Sequence, residues 1–199
     1  MPHRHSRRDL FASCFEVLRG VAQHRPSTDP ATVLRPPGAL DPDDRFLEAC
    51  TGCGDCIEAC PKGCLLTSEP AAKEKLPGID PTYRPCHLCD DLPCIAACQD
   101  GALVNPGSPA QVRLGVARVD PRRCVTFAGE LCQLCFNTCP FPHQAIMMIG
   151  SRPLVREAAC TGCGLCLFAC PTNPKSITIT PERRLVSGLR IPQEEYNRG

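Results

Sequence analysis

The chain has 199 residues, a formal net charge of +1, 18 cysteines, 22 prolines and no tryptophan, and 43% of it is apolar. This excludes a large aromatic core and leaves room for one domain or two small ones, held together by something other than apolar burial. Cysteine at this density signals disulfides in a short secreted chain and metal elsewhere, and repeated C-x2-C spacings decide for metal, while no apolar run is long enough to span a bilayer.

The N-terminus reads M-P-H-R-H-S-R-R-D-L-F, and Arg7–Arg8 after Ser6 is similar to the start of a twin-arginine export signal. Glu16 and Arg19 interrupt the apolar segment that such a signal needs, and no A-x-A pattern follows. A cytoplasmic location is therefore expected, with export to the periplasm by a degenerate twin-arginine signal as the alternative. Leu10, Phe11, Cys14, Phe15, Leu18, Val21 and Ala22 fall at helical spacing. They predict an amphipathic helix over 1–24, whose residues 7–22 dock on the protein itself, on a partner or on a membrane surface. Residues 25–44, rich in proline and aspartate, predict an extended linker, and 44–49 a short helix.

Four cysteine runs follow. The first is Cys50, Cys53, Cys56, Cys60 and Pro61, with the spacing C-x2-C-x2-C-x3-C-P of bacterial ferredoxins. Leu65 and Leu66 open a short strand after it, and 68–85 form a proline- and charge-rich connection. The second run is Cys86, Cys89, Cys94 and Cys98, without a closing proline. A brief strand at 102–104, a turn at 105–111 and a strand at 112–119 lead to the third run. That run is Cys124, Cys132, Cys135, Cys139 and Pro140, with a long first gap. A hairpin is expected from 145–149 and 154–156, turning at Gly150–Ser151. The fourth run, Cys160, Cys163, Cys166, Cys170 and Pro171, repeats the spacing of the first, and 176–180 alternate as a strand before a polar tail over 183–199.

The chemistry explains the spacing. Cysteines at every third residue of a tight loop aim three sulfurs at one centre, and Gly162 and Gly164 permit the loop angles. The fourth cysteine points away, towards the cluster of a partner run. Four such runs predict four [4Fe-4S] clusters, and they leave only Cys14 and Cys64 over. Cys64 reads as a small buried residue and Cys14 as part of the apolar helix face. Structural zinc sites show separated C-x2-C pairs or cysteine with histidine, and fit less well. If Cys124 did not ligate, its cluster would be three-iron or labile. His87 and His143 flank the runs and read as solvent-facing or hydrogen-bonding groups, while Lys62, Lys175, Arg122 and Arg123 read as ordinary solvated surface, with offsetting cluster charge or guiding a partner as the alternative.

The runs can pair in chain order or in a nested way, and the matching spacings of the first and fourth favour nesting. Nesting assigns Cys50, Cys53, Cys56 and Cys170 to one cluster, and Cys160, Cys163, Cys166 and Cys60 to its partner. It gives Cys86, Cys89, Cys94 and Cys139 to a third cluster, and Cys124, Cys132, Cys135 and Cys98 to the last. The expected fold is α+β, with short helices and β-hairpins around four clusters. An outer ferredoxin-like module takes 45–68 with 155–182, and an inner one takes 83–154.

The segments C-H-L-C-D-D-L-P-C-I-A-A-C (86–98) and C-V-T-F-A-G-E-L-C-Q-L-C-F-N-T-C-P (124–140) resemble the polyferredoxin families of NapG and MauM. The first family is accessory to periplasmic nitrate reductase and the second belongs to methylamine utilisation. The resemblance covers 45–182. It implies four-cluster electron transfer, and the wider family of four-cluster subunits implies nested pairing. The N-terminus looks more like that of NapF, a cytoplasmic relative linked to maturation of the nitrate reductase catalytic subunit.

Sixteen ligating thiolates and four cores of 2+ would lower the formal charge of +1 by eight, to about −7, which argues against a nucleic-acid partner. No phosphate-binding glycine loop, nucleophile elbow or paired-carboxylate signature is present, so neither a complete enzyme nor a small-molecule substrate is expected. The chain reads as a carrier of single electrons between a donor, such as a quinol oxidase module, and a separate oxidoreductase. The alternative is an assembly partner of a molybdoenzyme, of the NapF type.

Overall fold

A computed structural model of the chain describes residues 33–68 and 76–182. The expected helix over 1–24, with Cys14 and the docking surface at 7–22, lies outside the described residues, as do 25–32 and the tail over 183–199.

The described chain is mixed α and β, made of very short elements. Helices α1 (Asp43–Ala49), α2 (Asp55–Glu58) and α3 (Pro93–Ala96) and strands β1 (Leu66–Ser68) and β2 (Leu76–Gly78) make up its first half. The second half holds β3 (Gly115–Val119), α4 (Leu134–Thr138), β4 (Ile146–Ile149), β5 (Arg152–Val155), α5 (Leu165–Ala169) and β6 (Ile177–Pro181). The helices inside the runs are one turn long because each must start and stop between two cysteines of its run. Left-handed residues start three of them: Gly54 at φ 93° before α2, Leu92 at φ 42° before α3 and Gly164 at φ 88° before α5. Pro93 stands at the first turn of α3, where a missing N–H costs nothing.

The two halves repeat one plan. In the second, β3 pairs antiparallel with β6, matching Gly115 with Pro181 and Val119 with Ile177. Inside that pair lies the hairpin β4–β5, with Ile146 opposite Val155. In the first half, 38–40 lie along 102–104, joined by a bridge between Ala39 and Leu103 and by bonds from Leu40 N–H to Ala102 C=O and from Val104 N–H to Gly38 C=O. The inner hairpin there is β1–β2, with Leu66 opposite Gly78. Two runs face each other in each half, with α2 against α3 and α4 against α5. Phe46, Leu34, Leu65, Leu76, Ile79, Ile177 and Ile179 fill the core between them.

Two expectations need correction. Residues 33–44 are not an extended linker. Leu34 is fully buried and exchanges backbone hydrogen bonds with Ile79 at 2.8 Å, and Arg35 forms a buried two-point ion pair with Asp43 at 2.6 and 2.9 Å. Pro36 and Pro37 are buried against the core, and only Pro42 of the prolines there is exposed. The modules are also not nested. The facing pairs are first run with second and third with fourth, so neither the outer grouping of 45–68 with 155–182 nor the inner grouping of 83–154 is found. The physical reason is chain closure. Adjacent runs are joined by short hairpins that return the backbone locally.

The halves meet where the second and fourth runs touch. The Cys86 N–H donates to the Cys163 C=O at 2.9 Å, and a Cβ at Gly164 would lie 2.4 Å from the Pro81 ring. Among the described residues no helix is long and apolar enough to cross a membrane.

Candidate metal centres

All sixteen cysteines of the runs line four pockets, each pocket taking three sulfurs from one run and one from another. The first-run pocket holds Cys50, Cys53, Cys56 and Cys98, and the second-run pocket Cys86, Cys89, Cys94 and Cys60. The third-run pocket holds Cys124, Cys132, Cys135 and Cys170, and the fourth-run pocket Cys160, Cys163, Cys166 and Cys139. The three-plus-one division is as expected from the spacing, but the donor of the fourth sulfur is not. Nesting put Cys170 with Cys50, Cys60 with Cys160, Cys139 with Cys86 and Cys98 with Cys124. Instead Cys170 lies with Cys124, Cys60 with Cys86, Cys139 with Cys160 and Cys98 with Cys50. Cys124 lines its pocket despite the long gap before Cys132. That gap is taken up by a 3-10 turn at Val125–Ala128 and left-handed Gly129.

The residues fit an iron–sulfur cluster better than a single ion. In each pocket the four run cysteines stand behind an apolar wall. Among the described residues no group of three or more His, Cys, Asp or Glu side chains converges closely enough for one metal ion. A zinc ion bonds thiolate sulfur at ~2.3 Å and would draw four of them together. Four cysteines standing apart around a larger space suit a polynuclear core.

Burial dominates the electrostatics. It pushes the thiols of Cys56 and Cys94 up to about 12 and those of Cys135 and Cys163 to about 11. Such thiols stay neutral until a metal displaces the proton. Two sulfurs run the other way. The Cys64 side chain hydrogen-bonds Cys60 and brings it down to about 5, against the upward pull of burial. Burial also pushes Cys170 up, but hydrogen bonds from Ser176 and Thr172 hold it below the ordinary thiol range.

The sequence reading missed some residues at these pockets. Cys64, expected as a plain buried residue, is buried and lines the second-run pocket, with its Sγ 3.5 Å from that of Cys60. Ala102, Ala145 and Ser176 line the other three. Hydroxyls of Thr126, Thr172 and Ser176 stand 3.1, 3.3 and 3.1 Å from ligand-run sulfurs. The available signal was position: each of the four pocket residues comes just before the apolar residue that leads into the strand or bridge after a run. His87 is exposed at the second-run pocket, and His143 packs edge-on against Phe136 at 4.9 Å. Lys175 caps the backbone carbonyls of Phe168 and Cys170, so it is not an ordinary solvated lysine.

The pockets form a row. Helix α2 of the first run packs on α3 of the second, the Cys86 N–H of the second donates to the Cys163 C=O of the fourth, and α5 of the fourth packs on α4 of the third. Their order is therefore first-run, second-run, fourth-run, third-run.

Comparison with known proteins agrees with this chemistry. The 4Fe-4S binding domain family matches residues 46–66 and 153–175, around the two regularly spaced runs. The methylamine utilization ferredoxin-type protein MauM of Paracoccus denitrificans is 38% identical over 76% of this chain and 72% of its own. MauM of Methylorubrum extorquens is 34% identical over 94% of both chains. The ferredoxin-type protein NapG of Escherichia coli is 34% identical over 74% of this chain and 70% of its own.

Proposed function

Starting from the fact that the chain belongs to the family of MauM and NapG ferredoxin-type proteins, we propose that it carries four [4Fe-4S] clusters and relays single electrons between a donor and a separate redox enzyme. The observation that carries this is the grouping of sixteen cysteines into four pockets of four, set in a row.

A cluster bound in each pocket would supply storage for one electron. The chain's part is to hold and insulate. Cys50, Cys53, Cys56 and Cys98 hold the first cluster, and Cys60, Cys86, Cys89 and Cys94 the second. Cys124, Cys132, Cys135 and Cys170 hold the third, and Cys139, Cys160, Cys163 and Cys166 the fourth. Ala117, Ile146, Val155 and Ile179 exclude water around the fourth, and Phe46 and Leu103 around the first. The backbone bond from Cys86 to Cys163 links the two middle sites directly. Electrons enter at one end of the row and leave at the other. The partners are redox proteins of a nitrate-reductase-like or methylamine-utilisation-like system.

The assembly-partner alternative draws no support from the relatives named above, which are MauM and NapG proteins. The test is electron delivery. Anaerobic protein reduced chemically should pass electrons to a candidate oxidoreductase at a rate matching turnover. Tight binding to the cofactor-free oxidoreductase without electron delivery would instead favour assembly.

A further inference from the structure

One position recurs in all four repeats and differs among them. It is the small residue just before the apolar residue that leads into the strand or bridge after each run: Cys64 before Leu65, Ala102 before Leu103, Ala145 before Ile146 and Ser176 before Ile177. Each lines the pocket reached by its own run's last cysteine, and so does the apolar residue after it. The backbone supports the equivalence of three of them. The C=O of Ala102 accepts from Leu40 N–H at 3.1 Å, that of Ala145 from Arg156 at 2.8 Å and that of Ser176 from Asp120 at 2.7 Å. The side chains divide into two pairs. Ala102 and Ala145 have no donor. Ser176 places its Oγ 3.1 Å from Cys170 Sγ, and Cys64 its Sγ 3.5 Å from Cys60 Sγ.

On the reading that clusters fill these pockets, we propose that this position tunes reduction potential, with Cys64 and Ser176 as donors and Ala102 and Ala145 as non-donors. The direction of donation follows from ligation. A sulfur bound to iron carries no proton, so the bond must run from the Cys64 S–H to Cys60 and from the Ser176 O–H to Cys170. Cys86 is a second hydrogen-bond partner of Cys64. Thr172 is already engaged by the Ser176 N–H at its oxygen, which leaves its own O–H free for Cys170. A hydrogen bond to a ligand sulfur is stronger when the cluster holds its extra electron, because the sulfur is then more negative. The donor therefore favours the reduced state and raises the potential. Cys64 and Ser176 are positioning residues that act through a ligand. They hold the second-run and third-run clusters above where an alanine would leave them.

The test uses the full anaerobic protein with its clusters, as wild type and as Ser176→Ala, Cys64→Ala, Cys64→Ser and Ala145→Ser. Two quantities are read: iron and sulfide per chain, and midpoint potentials from a reductive titration followed by EPR. Ser176→Ala and Cys64→Ala should keep their iron and each lower one midpoint, by about a tenfold loss in the reduction equilibrium, ~59 mV for one electron. Cys64→Ser should keep the wild-type midpoint, and Ala145→Ser should raise that of the fourth-run cluster. Unchanged midpoints at unchanged iron would overturn the proposal. Loss of one cluster's iron in Cys64→Ala would make Cys64 a ligand and overturn its role as a donor. A wild-type protein that binds no cluster would overturn the underlying reading instead.

Discussion

Gly162 and Gly150 both hold a left-handed backbone, at φ +70° and +61°, yet they are not equivalent. A Cβ on Gly162 would stand 2.3 Å from the backbone N and O of Gly115, while one on Gly150 meets nothing within 4 Å. Gly150→Ala should therefore cost only the conformational term, about 1–2 kcal/mol. Gly162→Ala should cost more than that, because the fourth run would have to separate from β3, and chemical denaturation of the two variants measures the gap. Arg35 and Asp43 are a second residue-scale case. Their side chains are 3% and 2% exposed, and the guanidinium lies 4.8 Å from the centre of the Phe46 ring. Arg35→Met should destabilise the protein by about 3–5 kcal/mol, since it strands a buried carboxylate. The double change Arg35→Met with Asp43→Leu should recover much of that loss in the denaturant midpoint. Leu88 and Leu92 adopt left-handed angles at φ 52° and 42°, and both are buried. At Leu88, in the second run, apolar burial holds an angle that Gly52 and Gly162 take freely in the first and fourth.

At the scale of elements, the pairing of runs is the point on which spacing misled. The first and fourth runs share a spacing because each must wrap three sulfurs around a cluster. That requirement is internal to a run and carries no information about its partner. Partnership is set by the hairpins β1–β2 and β4–β5, which fold each run back on its neighbour. The second hairpin was legible, because 145–149 and Leu154–Val155 are apolar and flank Gly150–Ser151. The first was half legible. Leu76-Pro77-Gly78 falls within the proline- and charge-rich connection expected over 68–85, and only its pairing with Leu66–Ser68 makes it a strand. The sixteen cysteines were legible because ligand chemistry dictates their local spacing. The fourth partner of each pocket was not, because it depends on contacts between runs. Pairing in chain order predicts that Cys170→Ala and Cys124→Ala remove the same EPR signal, and that combining them removes no other. Nested pairing would make Cys170→Ala remove the signal that Cys50→Ala removes.

At the scale of the whole molecule, two similar halves meet at the Cys86–Cys163 contact, and in each the pocket walls merge with the apolar core. The sixteen run cysteines converge on these four spaces, so the free energy of binding a metal cluster there is folding free energy. Cluster removal by an iron chelator under anaerobic conditions should therefore abolish the cooperative unfolding transition, followed by circular dichroism, and not merely lower its midpoint. The row of pockets puts the first-run and third-run sites at the ends. Leu131 is 91% exposed beside Cys132, so the third-run end presents an apolar side chain to solvent next to a cluster ligand. The measurement that bears most directly on this picture is iron and acid-labile sulfide per chain in anaerobically purified protein. Four cubane clusters require about sixteen of each. About eight of each, with the protein folded and no further iron taken up on reconstitution, would contradict it.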